Sequence, residues 1–357
     1  MGVKQLSMLL LVLCAGFSAK LVDASLMPAL FVLGDSTVDT GNQNYITSVI
    51  KSNYPPYGRD FVPPGPTGRF SNGKLANDFV AEYLGLPFPV NFLDPTAHGP
   101  ILLTGVNLAS SGSGFLDITG QFFGVMNLTR QLENLGTVQA EIIQLIGLPA
   151  TTQLFGSSLF LISTGSNDFV NNYNINPVVF EQYSPSQYQT LLLESINRNL
   201  MTLYNYGARK VIINSLGPVG CCPEQLNLLN SPGGVCIEKV NLPLRNFNVG
   251  LKDLVIELRG QYPDFNLVYA NAYDLIQGFV NNPQSNGYTY YNTACCGEGS
   301  WRGLPCANPI STVCANADEY IFWDLFHPSQ KTHHALANAA IYGNLDAMYP
   351  TNIQGMM

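Results

Sequence analysis

Short apolar runs ending at or near Gly, Asn or Asp alternate along this chain with longer stretches of helical spacing. The runs are Ala29 to Leu33, a weaker one at Gly105 to Ala109, then Ser158 to Ser163, Lys210 to Asn214 and Asn266 to Ala270. Between them, Leu75–Leu84, Leu132–Ile146, Tyr188–Tyr204 and Leu242–Arg259 space their apolar residues as helices do. Such alternation specifies a parallel sheet covered by helices on both faces. The 357 residues contain no repeat, no low-complexity tract and no linker rich enough to divide them, so the reading is one domain. Tyr54 to Gly73 is too rich in Pro and Gly for regular structure and reads as an ordered aromatic loop, a connector or a wall of the substrate site.

The N-terminus adds a compartment. Lys4 precedes an apolar run from Leu6 to Phe17, followed by small residues and Val22-Asp23-Ala24. This is the order of a secretory signal peptide, with cleavage after Ala24. The run is too short for a membrane span, which needs about 20 apolar residues. Residues 1–24 are therefore read as a leader and 25–357 as the mature, exported domain. Cys14 leaves with the leader, and the other seven cysteines cluster as Cys221, Cys222, Cys236 and then Cys295, Cys296, Cys306, Cys314. In an oxidising compartment these read as local disulfides: Cys236 with Cys221 or Cys222, the rest within the second cluster, and one thiol unpaired. Adjacent Cys-Cys pairs do not suit a zinc site. Asn127-Leu128-Thr129 is a glycosylation acceptor if exposed. The net charge of −8 disfavours a nucleic-acid partner, which would need a basic face. With 46% hydrophobic and 11% charged residues, the composition disfavours disorder.

Ligands of open parallel sheets bind outside the carboxyl ends of the strands, so the polar residues that follow the runs carry the chemistry. They are Gly34-Asp35-Ser36, Ser110-Ser111-Gly112, Gly165-Ser166-Asn167-Asp168 and, near the end, Trp323-Asp324-Leu325-Phe326-His327-Pro328. Acyl transfer needs a nucleophile, a base, a group orienting the base, and oxyanion donors. Ser36 is the nucleophile candidate and His327 the base. Asp324, three residues back, can fix the imidazole tautomer. Pro328 suits the first position of a final helix. Gly112 can offer a backbone N–H and Asn167 its side-chain amide. His98, His333 and His334 have no ligand spacing, and neither metal nor cofactor is expected.

These blocks, in this order, resemble the GDSL esterase/lipase family of plants, part of the SGNH hydrolase superfamily. The resemblance spans about residues 29 to 345. It includes Phe31-Val32-Leu33-Gly34-Asp35-Ser36 with Asp39 and Gly41-Asn42, the Tyr-Pro-Pro-Tyr-Gly and Pro-Thr-Gly-Arg-Phe-Ser-Asn-Gly segments, and Gly105 to Ser110. Gly165 to Asp168, Ala294-Cys295-Cys296-Gly297 and Phe322-Trp323-Asp324 with His327-Pro328 complete it. It implies a three-layer α/β/α fold with five parallel strands in the flavodoxin-like order 2-1-3-4-5. It further implies catalytic Ser36, Asp324 and His327, with oxyanion donors from the Ser36 and Gly112 backbones and the Asn167 side chain. Thr37 stands where the name motif has Leu, a change expected to affect packing rather than chemistry. Ser111 stands where many relatives have Gly, which opens the question of which residue supplies the second donor. Cys222, beside Cys221 where relatives often have one Cys, is the candidate free thiol.

The expected protein is a secreted, monomeric serine esterase or lipase acting on a small-molecule or lipid ester. It needs no cofactor or metal and makes no stable membrane insertion. The alternatives are an acyltransferase using the same triad and a secreted glycoprotein without activity. No Gly-x-Ser-x-Gly elbow occurs in the chain. Ser36 is therefore expected on a looser loop, in a site open to solvent that prefers short-chain esters.

Overall fold

The computed structural model describes residues 25–173, 177–307 and 310–357; the proposed leader, residues 1–24, lies outside them. Among the described residues there are nine strands: β1 (Leu30–Gly34), β2 (Val90–Asn91), β3 (Val106–Asn107), β4 (Leu159–Ser163), β5 (Lys210–Asn214), β6 (Asn266–Ala270), β7 (Cys296–Gly297), β8 (Thr312–Val313) and β9 (Met348–Tyr349). Seven form one sheet in the order β2-β3-β1-β4-β5-β6-β9, parallel throughout except that β9 runs antiparallel to β6. The five expected strands are β1, β3, β4, β5 and β6, and their spatial order is the expected 2-1-3-4-5. The sheet has seven strands rather than five because β2 and β9 add two-residue edges, too short to leave any periodic signal. The regular part of β3 is also shorter than expected. Its backbone nonetheless continues along β1, with Leu108 and Ser110 donating to the Val32 and Gly34 carbonyls.

Every residue of β1 and β4 is buried, as strands covered on both faces must be. Alternate side chains diverge. Phe31, Leu33, Phe160, Ile162, Val211 and Ile213 join the larger core. It is covered by the helices Leu128–Ile146, Pro185–Asn205 and Glu238–Gln261. Leu30, Val32, Leu159, Leu161, Ile212 and Val268 face the other way, under Ala76–Leu84 and Gln330–Tyr342. The result is the expected three layers. Each helix contains or nearly matches the stretch read from the sequence, extended where a cap fixes the start. Ser184 caps Pro185–Asn205. Asn127 caps Leu128–Ile146 by accepting from the Arg130 N–H at 2.8 Å. The final helix differs from expectation. Ser329 is its cap and Gln330 its first residue, so Pro328 precedes it rather than opening it.

Three local disulfides close loops: Cys221–Cys236, Cys295–Cys314 and Cys296–Cys306. The first spans 15 residues, a closure worth roughly 3 kcal/mol in the chain-entropy model. Cys222 is the free, buried thiol among the described residues, and its desolvation pushes its pKa well up.

Candidate active site

The site begins where β1 stops. Gly34 has φ 147°, and a β-carbon there would meet the Ser163 carbonyl oxygen at 2.1 Å, so no larger residue lets β1 and β4 approach. Gln131, reaching in from the helix Leu128–Ile146, satisfies both Gly34 backbone groups, at 2.8 and 2.9 Å. The chain then turns around Asp35. Its Oδ1 accepts from the Thr37 N–H (2.9 Å) and the Thr37 hydroxyl (2.7 Å), and its carbonyl accepts from Val38 and Asp39. Ser36 sits inside that turn, 9% exposed. Thr37 thus makes a polar contact that Leu could not, so its effect goes beyond the packing expected of it.

Asp324 organises the opposite wall. It is fully buried, and its Oδ1 accepts from the Phe326 and His327 N–H groups at 3.0 and 2.7 Å. The resulting turn presents the His327 ring, whose Nδ1 lies 2.8 and 2.9 Å from the two Asp324 oxygens. His327 Nε2 lies 2.8 Å from Ser36 Oγ. A proton on Nδ1, shared with the carboxylate, leaves Nε2 as acceptor for the serine hydroxyl. Burial would raise the Asp324 pKa, but the charge of His327 and the hydrogen bonds it receives outweigh burial and hold it below the usual value. Asp324 is therefore ionised at neutral pH.

The loop Tyr54–Gly73 proves to be both wall and support. The Tyr57 hydroxyl donates to Asp324 Oδ2 at 2.7 Å, and the Phe70 ring packs on His327 with centroids 4.6 Å apart. A buried bidentate pair, Arg69 to Asp78 at 2.7 Å twice, ties the loop to the helix Ala76–Leu84. Neither Tyr57 nor Phe70 was singled out by the sequence. The signals were the loop's aromatic content and the two family-like segments that contain these rings, and neither says which ring meets which group of the site.

The three expected oxyanion donors converge on the same cavity as Ser36 and His327. Among the described residues, neither the Ser36 nor the Gly112 backbone N–H has an acceptor. Ser111 is drawn away by Asp39, whose Oδ2 accepts both its N–H (3.0 Å) and its hydroxyl (2.8 Å), which leaves Gly112 as the free donor. Gly112 has φ 90°, and a β-carbon would meet Ile50 Cδ1 at 2.6 Å. The Asn167 amide donates to the Ser113 carbonyl at 2.9 Å and lies 3.5 Å from Asp35 Oδ2, while its oxygen accepts from Asn171 at 2.8 Å. His98 is exposed beside Glu141, His334 is exposed against Phe79, and His333 is buried on the cavity wall. No cluster of three metal-ligating side chains occurs among the described residues.

The family model described as GDSL-like Lipase/Acylhydrolase matches residues 30–340. The chain belongs to the GDSL lipase/acylhydrolase family. One GDSL esterase/lipase of Arabidopsis thaliana is 39% identical over 336 residues, covering 93% of this chain and 95% of its own. A second from the same plant is 40% identical over 334 residues, covering 92% and 89%. The Arabidopsis GDSL esterase/lipase APG is 36% identical over 339 residues, covering 94% and 96%. Among solved structures, a catalytic mutant of the acetylxylan esterase Axe2 from Geobacillus stearothermophilus covers 87% of this chain and 92% of its own. It matches at 13% identity and a TM-score of 0.37, a likeness too loose to argue from. As a GDSL esterase/lipase the chain is a carboxylic ester hydrolase, and none of its described helices is long and apolar enough to cross a membrane.

Asp35 of the GDSL turn carries a stability cost. Burial pushes its carboxyl up to about 6 from an ordinary 3.8, against the hydrogen bonds from Thr37 and the charge of His327. Below the lower value the group is neutral folded and unfolded. Between the two, the unfolded chain ionises first and stability falls as pH rises, and above the higher value the full cost is present. The Asp35→Asn variant is therefore expected to gain on wild type between pH 4 and 7, by up to roughly 3 kcal/mol. Urea unfolding of both proteins at the two pH values checks this; a difference independent of pH would remove Asp35 as its source.

Proposed function

We propose that the chain is a secreted serine esterase that works through an acyl-Ser36 intermediate. The observation that carries this reading is the unbroken line Asp324–His327–Ser36, with contacts of 2.8 and 2.8 Å. In the first half-reaction Ser36 Oγ attacks the ester carbonyl as its proton passes to His327 Nε2. Asp324 stabilises the imidazolium, and the Ser36 N–H, Gly112 N–H and Asn167 amide receive the oxyanion. His327 then protonates the leaving alkoxide. Water repeats the sequence in the second half: it loses a proton to Nε2, attacks the acyl carbon, and releases the acid and free Ser36.

The reading includes removal of residues 1–24 and one hydrolase domain over 25–357, working as a monomer. The three disulfides support export. Asn127 is proposed as the glycan site; it is half-buried as a helix cap, with Thr129 exposed beside it. Fluorophosphonate labelling followed by peptide mapping tests the nucleophile: label is expected on Ser36 and nowhere else, and a protein that turns over esters without labelling there would refute it. Asn167→Ala is expected to lower kcat about 10²–10³-fold by removing one oxyanion donor. Steady-state kinetics on a model ester measure it, and a near-normal kcat would take Asn167 out of that role. Acyl transfer to an alcohol is the second reading. It is favoured only if product analysis with a candidate acceptor finds new ester exceeding free acid at low alcohol concentration.

A further inference from the structure

A side-chain amide serves as an oxyanion donor only in one of its two orientations, because it presents N–H groups on one side and an oxygen on the other. The Asn167 Nδ2 carries two hydrogens. One is taken by the Ser113 carbonyl at 2.9 Å. The other has only the Asp35 carboxylate nearby, at 3.5 Å, and is the one left for a substrate oxyanion. That holds while the amide oxygen stays turned the other way. Among the described residues this oxygen has a single partner: Asn171 Nδ2 donates to it at 2.8 Å.

The local backbone brings Asn171 there. Ser166–Asp168 forms a short helical turn, and Phe169–Tyr173 continues it as a wider π-helical turn, a form that recurs at functional sites. Helical side chains four residues apart are neighbours, so Asn171 returns to Asn167. The adjacent Asn172 goes elsewhere. It is buried and donates to the Thr119 and Tyr188 hydroxyls, at 3.3 and 3.1 Å, which makes it part of the core. Asn171 is half-buried and lines the cavity that holds Ser36 and His327. Among the described residues its side chain makes no hydrogen bond except the one to Asn167, so it braces nothing else.

We propose that Asn171 is a positioning residue for ester cleavage, holding the Asn167 amide with its free N–H towards the oxyanion and strengthening that donor. The proposal rests on the oxyanion role of Asn167. Turned over, the amide would set its oxygen against the Ser113 carbonyl and the Asp35 carboxylate, and its NH₂ against that of Asn171. The observed orientation is thus enforced from both ends. Accepting a hydrogen bond also draws electron density onto the amide oxygen and leaves its N–H groups better donors. Both effects act where negative charge develops on the substrate oxygen, so they lower the barrier without tightening the binding of the ester itself.

The test is a double-mutant cycle on the full-length protein with p-nitrophenyl acetate. Asn171→Leu keeps the bulk of the side chain and removes the donor. It is expected to lower kcat and kcat/KM together by about fivefold, the scale of one hydrogen bond. In the Asn167→Ala background the same change is expected to cost less than about twofold, because no amide is left to orient. Equal losses in the two backgrounds would mean that Asn171 acts on the substrate directly or on the scaffold, and would overturn the proposal. So would a loss confined to KM, or an unchanged kcat in Asn171→Leu. Should Asn171→Leu not fold, Asn171→Ala removes the same donor with a smaller side chain and is carried through the same cycle. Asn167→Ala alone separates the two readings. A near-normal kcat there ends the oxyanion role and the proposal with it, whereas a large loss there combined with additive Asn171 effects overturns the proposal alone.

Discussion

Replacing Ser36 with Ala is expected to lower kcat for ester hydrolysis by roughly 10⁶-fold, the scale on which serine hydrolases lose their nucleophile. The physical reason is specific. His327 Nε2 lies 2.8 Å from the hydroxyl, and no other hydroxyl takes that place: Thr37 Oγ1 is committed to Asp35 and Ser163, at 2.7 and 2.9 Å. Among the described residues the Ser36 side chain has no other protein hydrogen bond, so removing it leaves the turn intact. The Gly34–Gln131 and Asp35–Thr37 contacts that build the turn do not involve the hydroxyl. Denaturant midpoints should therefore match wild type while turnover and fluorophosphonate labelling disappear. A variant keeping even a hundredth of the wild-type kcat would end the claim that Ser36 is the nucleophile.

Asp324→Asn is the second large effect, a loss of about 10⁴-fold in kcat. Asp324 Oδ1 accepts two backbone N–H groups, Oδ2 accepts the Tyr57 hydroxyl, and both face His327 Nδ1. An asparagine that keeps its oxygen on the backbone donors turns its NH₂ towards Nδ1. The imidazole must then put its proton on Nε2, where it can no longer accept from Ser36. Raising the pH does not repair a wrong tautomer, so the deficit should persist across the alkaline range. Stopped-flow or steady-state kinetics between pH 6 and 9 measure it. A loss under tenfold, or one that disappears at high pH, would show that the carboxylate does not set the tautomer.

The site residues that can be read from the chain are those whose position relative to a strand end is itself local. Ser36, Gly112 and Asn167 follow β1, β3 and β4 within a few residues, and Asp324 precedes His327 by three. Tyr57 and Phe70 are different. Tyr57 is 267 residues from the carboxylate it supports, and nothing local distinguishes it from Tyr54, which instead reaches the Cys306 carbonyl. The Ser111 ambiguity has the same character: Gly112 is the free donor because Asp39, 72 residues away, takes the serine. The disulfide partner of Cys236 was also open between two adjacent cysteines until the backbone placed Cys221 beside it.

What the sequence by itself determined was the succession of β1, β3, β4, β5 and β6 along the chain, the helices between them and the local disulfide clusters. Each of these is written in short-range periodicity or in motifs a few residues long, and is enforced by burial on both faces of the sheet. Only the tertiary structure decided the two-residue edge strands, the support of Asp324 by Tyr57, and the withdrawal of Ser111 by Asp39 that leaves the Gly112 N–H free. Edge pairing and long-range hydrogen bonds depend on where distant segments come to rest.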